Sequence, residues 1–291
     1  MSSDTRPDAS RRASDALDAV IPYLACPICG GELARAGMVL RCGPGHSFNI
    51  ARQGYASLVS GGPRTSPGDD AEMVAARERF LATGHYAPIA DAVASSVASV
   101  EGLCVDVAGG TGYYLARVLD RRQRMLGLGL DLSPYAARRA ARAHPRQAAV
   151  TADAWSTLPL RDGAVASVLS VFGPRNPAEL LRVLAPGGEL VLATPTAEHL
   201  VELRRALRLI EVDERKGERL ERQLARFERV DGTTVQYRVG LSPQDIFDDV
   251  RMGPNAHHTD AEALLEQVHA LGPTTVTVSV TVSRYRARND G

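Results

Sequence analysis

From residue 103 onward the chain alternates nearly unbroken apolar runs with stretches in which apolar residues recur at helical spacing. The runs at 103–107, 125–131, 148–153, 165–171 and 188–193 have the pattern of strands buried on both faces. Strands of this kind separated by helical segments predict an α/β fold, a parallel sheet covered by helices on both sides. Two later segments, 232–240 and 274–285, are rich in Thr, Val and Tyr and alternate with polar residues, which predicts antiparallel strands at the edge of the same sheet. Ahead of the alternation, 71–83 and 86–99 have helical patterning, with Gly84 between them as a stop. The first twenty residues are polar and charged and are expected to be a disordered extension.

Cys26, Cys29, Cys42 and His46 form a C-x2-C-x12-C-x3-H array. Each pair sits on a turn rich in Pro and Gly, CPICGG and CGPGH, and the residues between, 33–41, suffice for a hairpin that brings the turns together. Three thiolates and an imidazole fill a tetrahedral Zn2+ site and leave no position for water, so the metal is expected to be structural, one per chain. The alternative is two unrelated cysteine pairs or disulfides. The ribbon is assigned to residues 21–60, and a module that small needs a metal to hold it. The run SGGPRTSPGDD reads as a linker within 61–99, ahead of a catalytic domain at 100–291.

The 291 residues suffice for one large domain and a small one. No apolar run reaches transmembrane length and no signal peptide is read, so no membrane partner is expected. With three of four cysteines in the metal array, reducing cytoplasm is the expected compartment, and Cys104, inside an apolar run, is expected to be a buried small side chain. The formal net charge of zero argues against a generic polyanion binder. Locally, Arg117, Arg121, Arg122, Arg124, Arg138, Arg139, Arg142 and Arg146 face only Asp120 and Asp131, an excess that either binds phosphates or is a solvated helix face.

The segment Val105-Asp106-Val107-Ala108-Gly109-Gly110-Thr111-Gly112 ends the first strand of the alternation and opens a helix, so Gly110 and Gly112 let a ligand approach bare backbone. Asp131, closing the next strand, is placed to take the hydroxyls of a ribose, and Asp153, after the third, to meet an adenine. A dinucleotide fingerprint would have glycine where Leu115 stands, and a P-loop would have Gly-Lys-Ser/Thr, which is missing here. Asp106 also suits a cation better than a pyrophosphate. The compound that fits is S-adenosyl-L-methionine, which carries a sulfonium and an ammonium and no phosphate; a remnant nucleotide-binding fold is the alternative.

With these features in place, the chain resembles the RlmA family of 23S rRNA guanine-N1 methyltransferases from about Ile21 to its C-terminus. The residues that carry the resemblance are the ribbon with ARQGYASLV, then GDDAEMVAARERFLATGHYAPI, VDVAGGTGYYL, GLDLSPYAARRAARAHP, APGGELVLATPTAEHL and RMGPNAHH. The resemblance implies a Rossmann-like class I S-adenosylmethionine-dependent methyltransferase with an N-terminal zinc ribbon. It further implies that Tyr86, Gly110, Thr111 and His199 contact the cofactor, and that a homodimer cups an RNA hairpin. The branch most resembled methylates nucleotide 748 in helix 35 of 23S rRNA and confers resistance to tylosin-like and mycinamicin-like macrolides. Two departures stand out: Ala108 replaces the first glycine of the usual D-x-G-x-G-x-G, and Asn255 and His257 stand where other members carry larger aromatics.

Guanine N1 bears a proton that must leave, and the charge then spreads to O6. Arg175, in the loop Phe172-Gly173-Pro174-Arg175-Asn176-Pro177, is the candidate to stabilise it, the alternative being a loop residue bound to helix-end carbonyls or phosphate. That loop is not the Asn/Asp-Pro-Pro-Tyr of adenine-N6 enzymes. Because N1 lies on the Watson-Crick edge, the guanine must be unpaired or flipped, and loop RNA is the natural substrate. Arg35, Arg41 and Arg52 on the ribbon are expected to grip phosphates. Trp155 and Tyr135 are candidates to stack a base, or else pack the adenine or the core. Rival functions are a small-molecule, antibiotic-tailoring methyltransferase and a non-catalytic RNA-binding protein.

Overall fold

The computed structural model describes residues 9–59, 68–209, 216–257 and 259–288; the linker positions 60–67 lie outside them. Helix α1 (Ala9–Val20) and a 3-10 turn lead into the ribbon strands β1 (Leu33–Ala36), β2 (Val39–Cys42) and β3 (Ser47–Asn49), an antiparallel sheet in that order. There follow β4 (Ala56–Ser57), α2 (Ala71–Ala82), α3 (Ala87–Ser96), β5 (Glu101–Val107), α4 (Tyr113–Arg121), β6 (Arg124–Asp131), α5 (Pro134–Ala143) and β7 (Gln147–Thr151). The remainder is β8 (Val165–Val171), α6 (Pro177–Val183), β9 (Leu184–Pro195), α7 (Val201–Leu207), α8 (Lys216–Gln223), β10 (Phe227–Leu241), α9 (Pro243–Arg251), α10 (Ala261–Leu271) and β11 (Thr274–Ala287).

The large sheet has the order β10-β11-β9-β8-β5-β6-β7-β4, parallel from β9 to β4 and antiparallel at β11 and β10. It is the mixed sheet that the alternation predicts, and its strands alternate side chains between two apolar layers. Leu103, Val105 and Val107 of β5 enter one layer with α6; Cys104 enters the other with α3, α4, α9 and α10. Cys104 is fully buried, as expected for a small core side chain, and burial pushes its thiol pKa up.

The N-terminal extension departs from expectation. Residues 9–20 are helix, not disordered; 1–8 lie outside the described residues. Ala13, Ala16, Leu17 and Val20 recur at i, i+3, i+4 and i+7 and form one buried face. Burying Leu17 and Val20 contributes about 1.5–3 kcal/mol each. A helix of 12 residues needs such tertiary packing to persist.

The ribbon is also joined to the catalytic sheet more closely than a linker implies. Leu24, Leu33, Leu40, Phe48 and Ile50 belong to the same apolar cluster as Leu103, Val105, Leu128 and Val150. Arg35 bonds Ser14 at 2.7 Å and Asp18 at 2.8 Å, tying β1 to α1. At the C-terminal end of the ribbon segment, β4 adds to the sheet edge, with Ser57 in parallel register with Thr151 and Leu58 N donating to Thr151 O at 3.0 Å. Residues 21–59 therefore share a common core with the catalytic sheet.

Candidate active site and metal centre

The ligand atoms of Cys26, Cys29, Cys42 and His46 all lie within 4.8 Å of one another. Cys29 Sγ is 3.7 Å from Cys42 Sγ, and His46 Nδ1 is 3.6 Å from Cys26 Sγ and 3.2 Å from Cys42 Sγ. Zn–S bonds of about 2.3 Å and Zn–N bonds of about 2.0 Å give tetrahedral edges of roughly 3.5–3.8 Å. The 3.6 and 3.7 Å spacings match those edges and the 3.2 Å one is slightly shorter, whereas a disulfide needs about 2.05 Å, and the cysteines are free. The donor set fits Zn2+.

At the carboxyl ends of the parallel strands lies a cavity of about 760 Å3. Its first half is built from the ends of β5, β6 and β7. Asp106 is fully buried in the wall, and neither carboxylate oxygen has a hydrogen bond. Burial, reinforced by Asp131, pushes its pKa up to about 8. A Cβ on Gly109 would lie 2.8 Å from Asp106 Oδ2, so glycine is what lets the loop lie against the carboxylate. Gly112 caps α4 at φ 82°, where a side chain would collide with the Gln147 amide. Ala108 adopts φ 57°, a left-handed conformation that costs a non-glycine residue roughly 1–2 kcal/mol. Asp131 accepts from Gly110 N and Ser133 N, each at 2.9 Å; burial is the main cause of its raised pKa. Asp153 accepts from Trp155 N at 2.9 Å, and both residues line the cavity.

The second half lies over the ends of β8 and β9 and is roofed by α9 and the turn 253–255. Helix α9 opens with a capping box between Ser242 and Asp245, and Asp248 clamps it to α2 by accepting from Arg79 at 2.6 and 3.0 Å. This clamp presents the next residue, Asp249, to the cavity. Tyr86 OH donates to Asp249 Oδ1 at 3.0 Å and lies 3.4 Å from His199 Nε2. His199 Nδ1 accepts from Ser279 N at 3.3 Å, which leaves Nε2 to carry the proton toward Tyr86. Burial lifts Asp249 to about 7, against the pull of the Tyr86 hydrogen bond.

Tyr86, Asp106, Gly110, Asp131, Asp153 and His199 are thus brought to one cavity. Thr111 lines a separate hollow of about 530 Å3, and Gly112 packs behind the loop. Arg175, the expected catalytic residue, is not on the cavity wall. Its guanidinium donates to Gly173 O at 3.4 Å within its own loop, and burial lowers its pKa. Trp155 and Asn255 line the cavity; Tyr135 does not, and the His257 side chain lies outside the described residues. Asp249 and Phe172 also line the cavity and are not among the candidates the sequence singles out. An aromatic residue before Gly-Pro at a strand end is a usable signal for Phe172; Asp249 has none, since its place depends on α9 docking on α2.

The basic run 117–146 is largely neutralised. Arg117 and Arg121 pair with Asp91, Arg124 with Glu101 and Arg139 with Glu78. Arg122 donates to Val97 O, and Arg146 to the carbonyls of Leu119, Arg122 and Met125. Arg138 and Arg142 are exposed, without a partner among the described residues, and flank the hollow beside Thr111. Arg41 and Arg52 on the ribbon are likewise exposed and unpaired among the described residues.

A parallel sheet with a glycine-rich first loop, orphaned carboxylate oxygens in the wall and no phosphate cradle fits S-adenosylmethionine, and it defines a methyltransferase. The family model for a methyltransferase domain matches residues 105–192, and that for the RlmA N-terminal zinc ribbon matches residues 24–60. A protein of Micromonospora griseorubida described as a 23S rRNA (guanine-N1)-methyltransferase is 46% identical, covering 92% of this chain and 98% of its own length. The 23S rRNA (guanine(748)-N1)-methyltransferase of Streptomyces fradiae is 45% identical, with the same coverage of both chains. A chain in the complex between the Haloferax volcanii Trm112 methyltransferase activator and a methyltransferase superposes with a TM-score of 0.51 at 21% identity, covering 77% of this chain and all of that one. The chain belongs to the family of 23S rRNA guanine-N1 methyltransferases with an N-terminal zinc ribbon. Its cofactors are S-adenosylmethionine and Zn2+. Among the described residues no helix is long and apolar enough to cross a membrane.

Proposed function

We propose that this chain methylates N1 of the guanine at nucleotide 748, in the loop of helix 35 of 23S rRNA, acting as a homodimer and conferring resistance to tylosin- and mycinamicin-type macrolides. The observation that carries the reading is the two-part cavity, with an acidic half suited to a cationic adenosine compound opening into a half lined by Phe172, His199 and Asp249. The 45% identity to the Streptomyces fradiae enzyme supports the choice of nucleotide.

In this reading Asp131 holds the ribose, the Gly109-Gly110 backbone lies against the methionine portion, and Asp106 balances the positive charge. The bound cofactor supplies an electrophilic methyl group on a sulfonium. Transfer needs the N1 lone pair in line with that methyl, so much of the rate comes from positioning. Asp249 is the residue we assign to take the N1 proton: it faces the second half of the cavity, and a base with pKa about 7 is matched to neutral pH. Tyr86 holds its Oδ1 and is itself braced by His199, which fixes the direction of the carboxylate. Arg41 and Arg52 supply phosphate contacts outside the cavity.

The test is primer extension on 23S rRNA from a macrolide-sensitive host expressing the chain, which should stop beside nucleotide 748, together with labelled methyl transfer to a helix 35 transcript. Methylation of a macrolide and not of RNA would establish the antibiotic-tailoring function instead. Cofactor binding without transfer to either would leave a non-catalytic RNA-binding protein.

A further inference from the structure

We propose that Phe172 is the floor of a nucleobase subsite, on which the flipped target guanine stacks; this rests on the function proposed above. Phe172 follows the last residue of β8 and adopts φ 57°. A bulky residue in the left-handed region is strained, and such strain persists only where surrounding structure enforces it. Phe172 is nonetheless 39% exposed on the cavity wall. The backbone is held: Phe172 N donates to Ala193 O at 3.0 Å. The next residue, Gly173, is packed so closely that a Cβ would lie 3.2 Å from Val107 O and 3.3 Å from the Ala108 Cβ. The strain therefore fixes an exposed ring against the loop that carries the cofactor contacts.

The ring is braced on its closed side. His199 lies nearly parallel to it at 5.9 Å and 19°, with Tyr86 at 6.2 Å and Tyr114 at 6.4 Å inclined to it. Sheet order separates it from the cofactor half, since β5, β6 and β7 carry Asp106, Asp131 and the approach to Asp153, while β8 lies on the other side of β5. A volume of about 760 Å3 lies in the upper part of the range for one drug-sized ligand, roughly 300–1,000 Å3, and two molecules must meet here. The occupant is a flat, unpaired base: one aromatic face offers stacking, and the Asp249 carboxylate at the wall complements guanine, whose N1–H and N2–H groups are both donors.

The experiment uses the full, zinc-loaded chain, S-adenosylhomocysteine and a helix 35 hairpin carrying a fluorescent guanine analogue at the target position. Wild type should quench the analogue on binding. Phe172→Leu should lose the quench and lower the single-turnover rate on unmodified hairpin by on the order of 10- to 100-fold, since base–aromatic stacking contributes about 1–3 kcal/mol. Its affinity for S-adenosylmethionine should stay within about twofold, while Phe172→Tyr and Phe172→Trp keep both quench and rate. A quench that survives Phe172→Leu, or a loss of cofactor affinity matching the loss of rate, would overturn the proposal. So would a rate and quench that Phe172→Tyr fails to restore. If wild type does not methylate the unmodified hairpin at all, the proposed function itself fails, which is a separate outcome.

Discussion

Asp106→Asn isolates the cost of an ionisable group built into an apolar wall. Asp106 is fully buried without a hydrogen bond, and its pKa is lifted from 3.8 to about 8. The folded protein therefore holds a proton that the unfolded chain releases near pH 4, so stability is greatest at the acid end of this window and falls as pH rises through it. At about 1.36 kcal/mol per unit, ionisation costs the cofactor-free fold about 3 kcal/mol at pH 6 and roughly 5–6 kcal/mol at pH 8.5. Asparagine never ionises, and its own burial penalty does not vary with pH. The stability of Asp106→Asn relative to wild type should consequently improve by roughly 2–3 kcal/mol between pH 6 and pH 8.5. Urea denaturation at both values, with zinc present and wild type beside the variant, measures the difference while the metal contribution cancels. Calorimetry supplies the functional side. A cation beside Asp106 favours the carboxylate, so wild-type affinity for S-adenosylmethionine should rise from pH 6 to pH 8, and the variant's should be weak and flat. A stability difference independent of pH would refute the reasoning, as would an unchanged pH dependence of cofactor affinity.

Asp131→Ala should weaken S-adenosylmethionine binding at least tenfold in calorimetry, because hydrogen bonds to a charged group contribute about 1.5–3 kcal/mol each. Purified protein should contain one zinc per chain by metal analysis, and Cys42→Ser should forfeit metal binding worth on the order of 10 kcal/mol. Since the ribbon shares its core with the sheet, that variant should broaden thermal unfolding of the whole chain and weaken cofactor binding. For Asp249, the carboxylate is the active form and the pKa is about 7, so the saturated single-turnover rate should fall as pH drops through 7; Asp249→Asn should lack that limb while binding cofactor normally. Reversing the charge of both Arg138 and Arg142 should weaken RNA binding more at low salt than at high salt in filter-binding titrations, whereas reversing Arg117, already paired with Asp91, should do so far less.

What was legible in the sequence was local. The metal array is readable because its ligands sit in two short turns, and β5 through β9 because each buried strand is a contiguous apolar run. Helix α1 was hidden in a segment of high charge, although Ala13, Ala16, Leu17 and Val20 already trace one face. The two-residue strand β4 is too short for any periodicity. Arginine roles were illegible for another reason: the partner of Arg117 is 26 positions away and the carbonyls that hold Arg146 lie 21 to 27 positions away. The place of Arg175 after β8 is legible, but which side chain of that loop lines the cavity depends on the left-handed backbone at Phe172. Asp249 depends on the Arg79–Asp248 clamp, which joins residues 169 positions apart.

The common core beneath ribbon and sheet turns the protein into a gauge of fixed length. With α1 and β4 locking the ribbon to the edge beside β7, the reach from Arg41 and Arg52 to the floor at Phe172 cannot be adjusted by a swinging linker. In the function proposed above, the target would be selected by its distance and angle from a gripped stretch of RNA more than by the letters around it. A stem that gains or loses one base pair would carry its loop guanine out of register while every phosphate contact remained available, so the length of the stem becomes part of what the enzyme recognises.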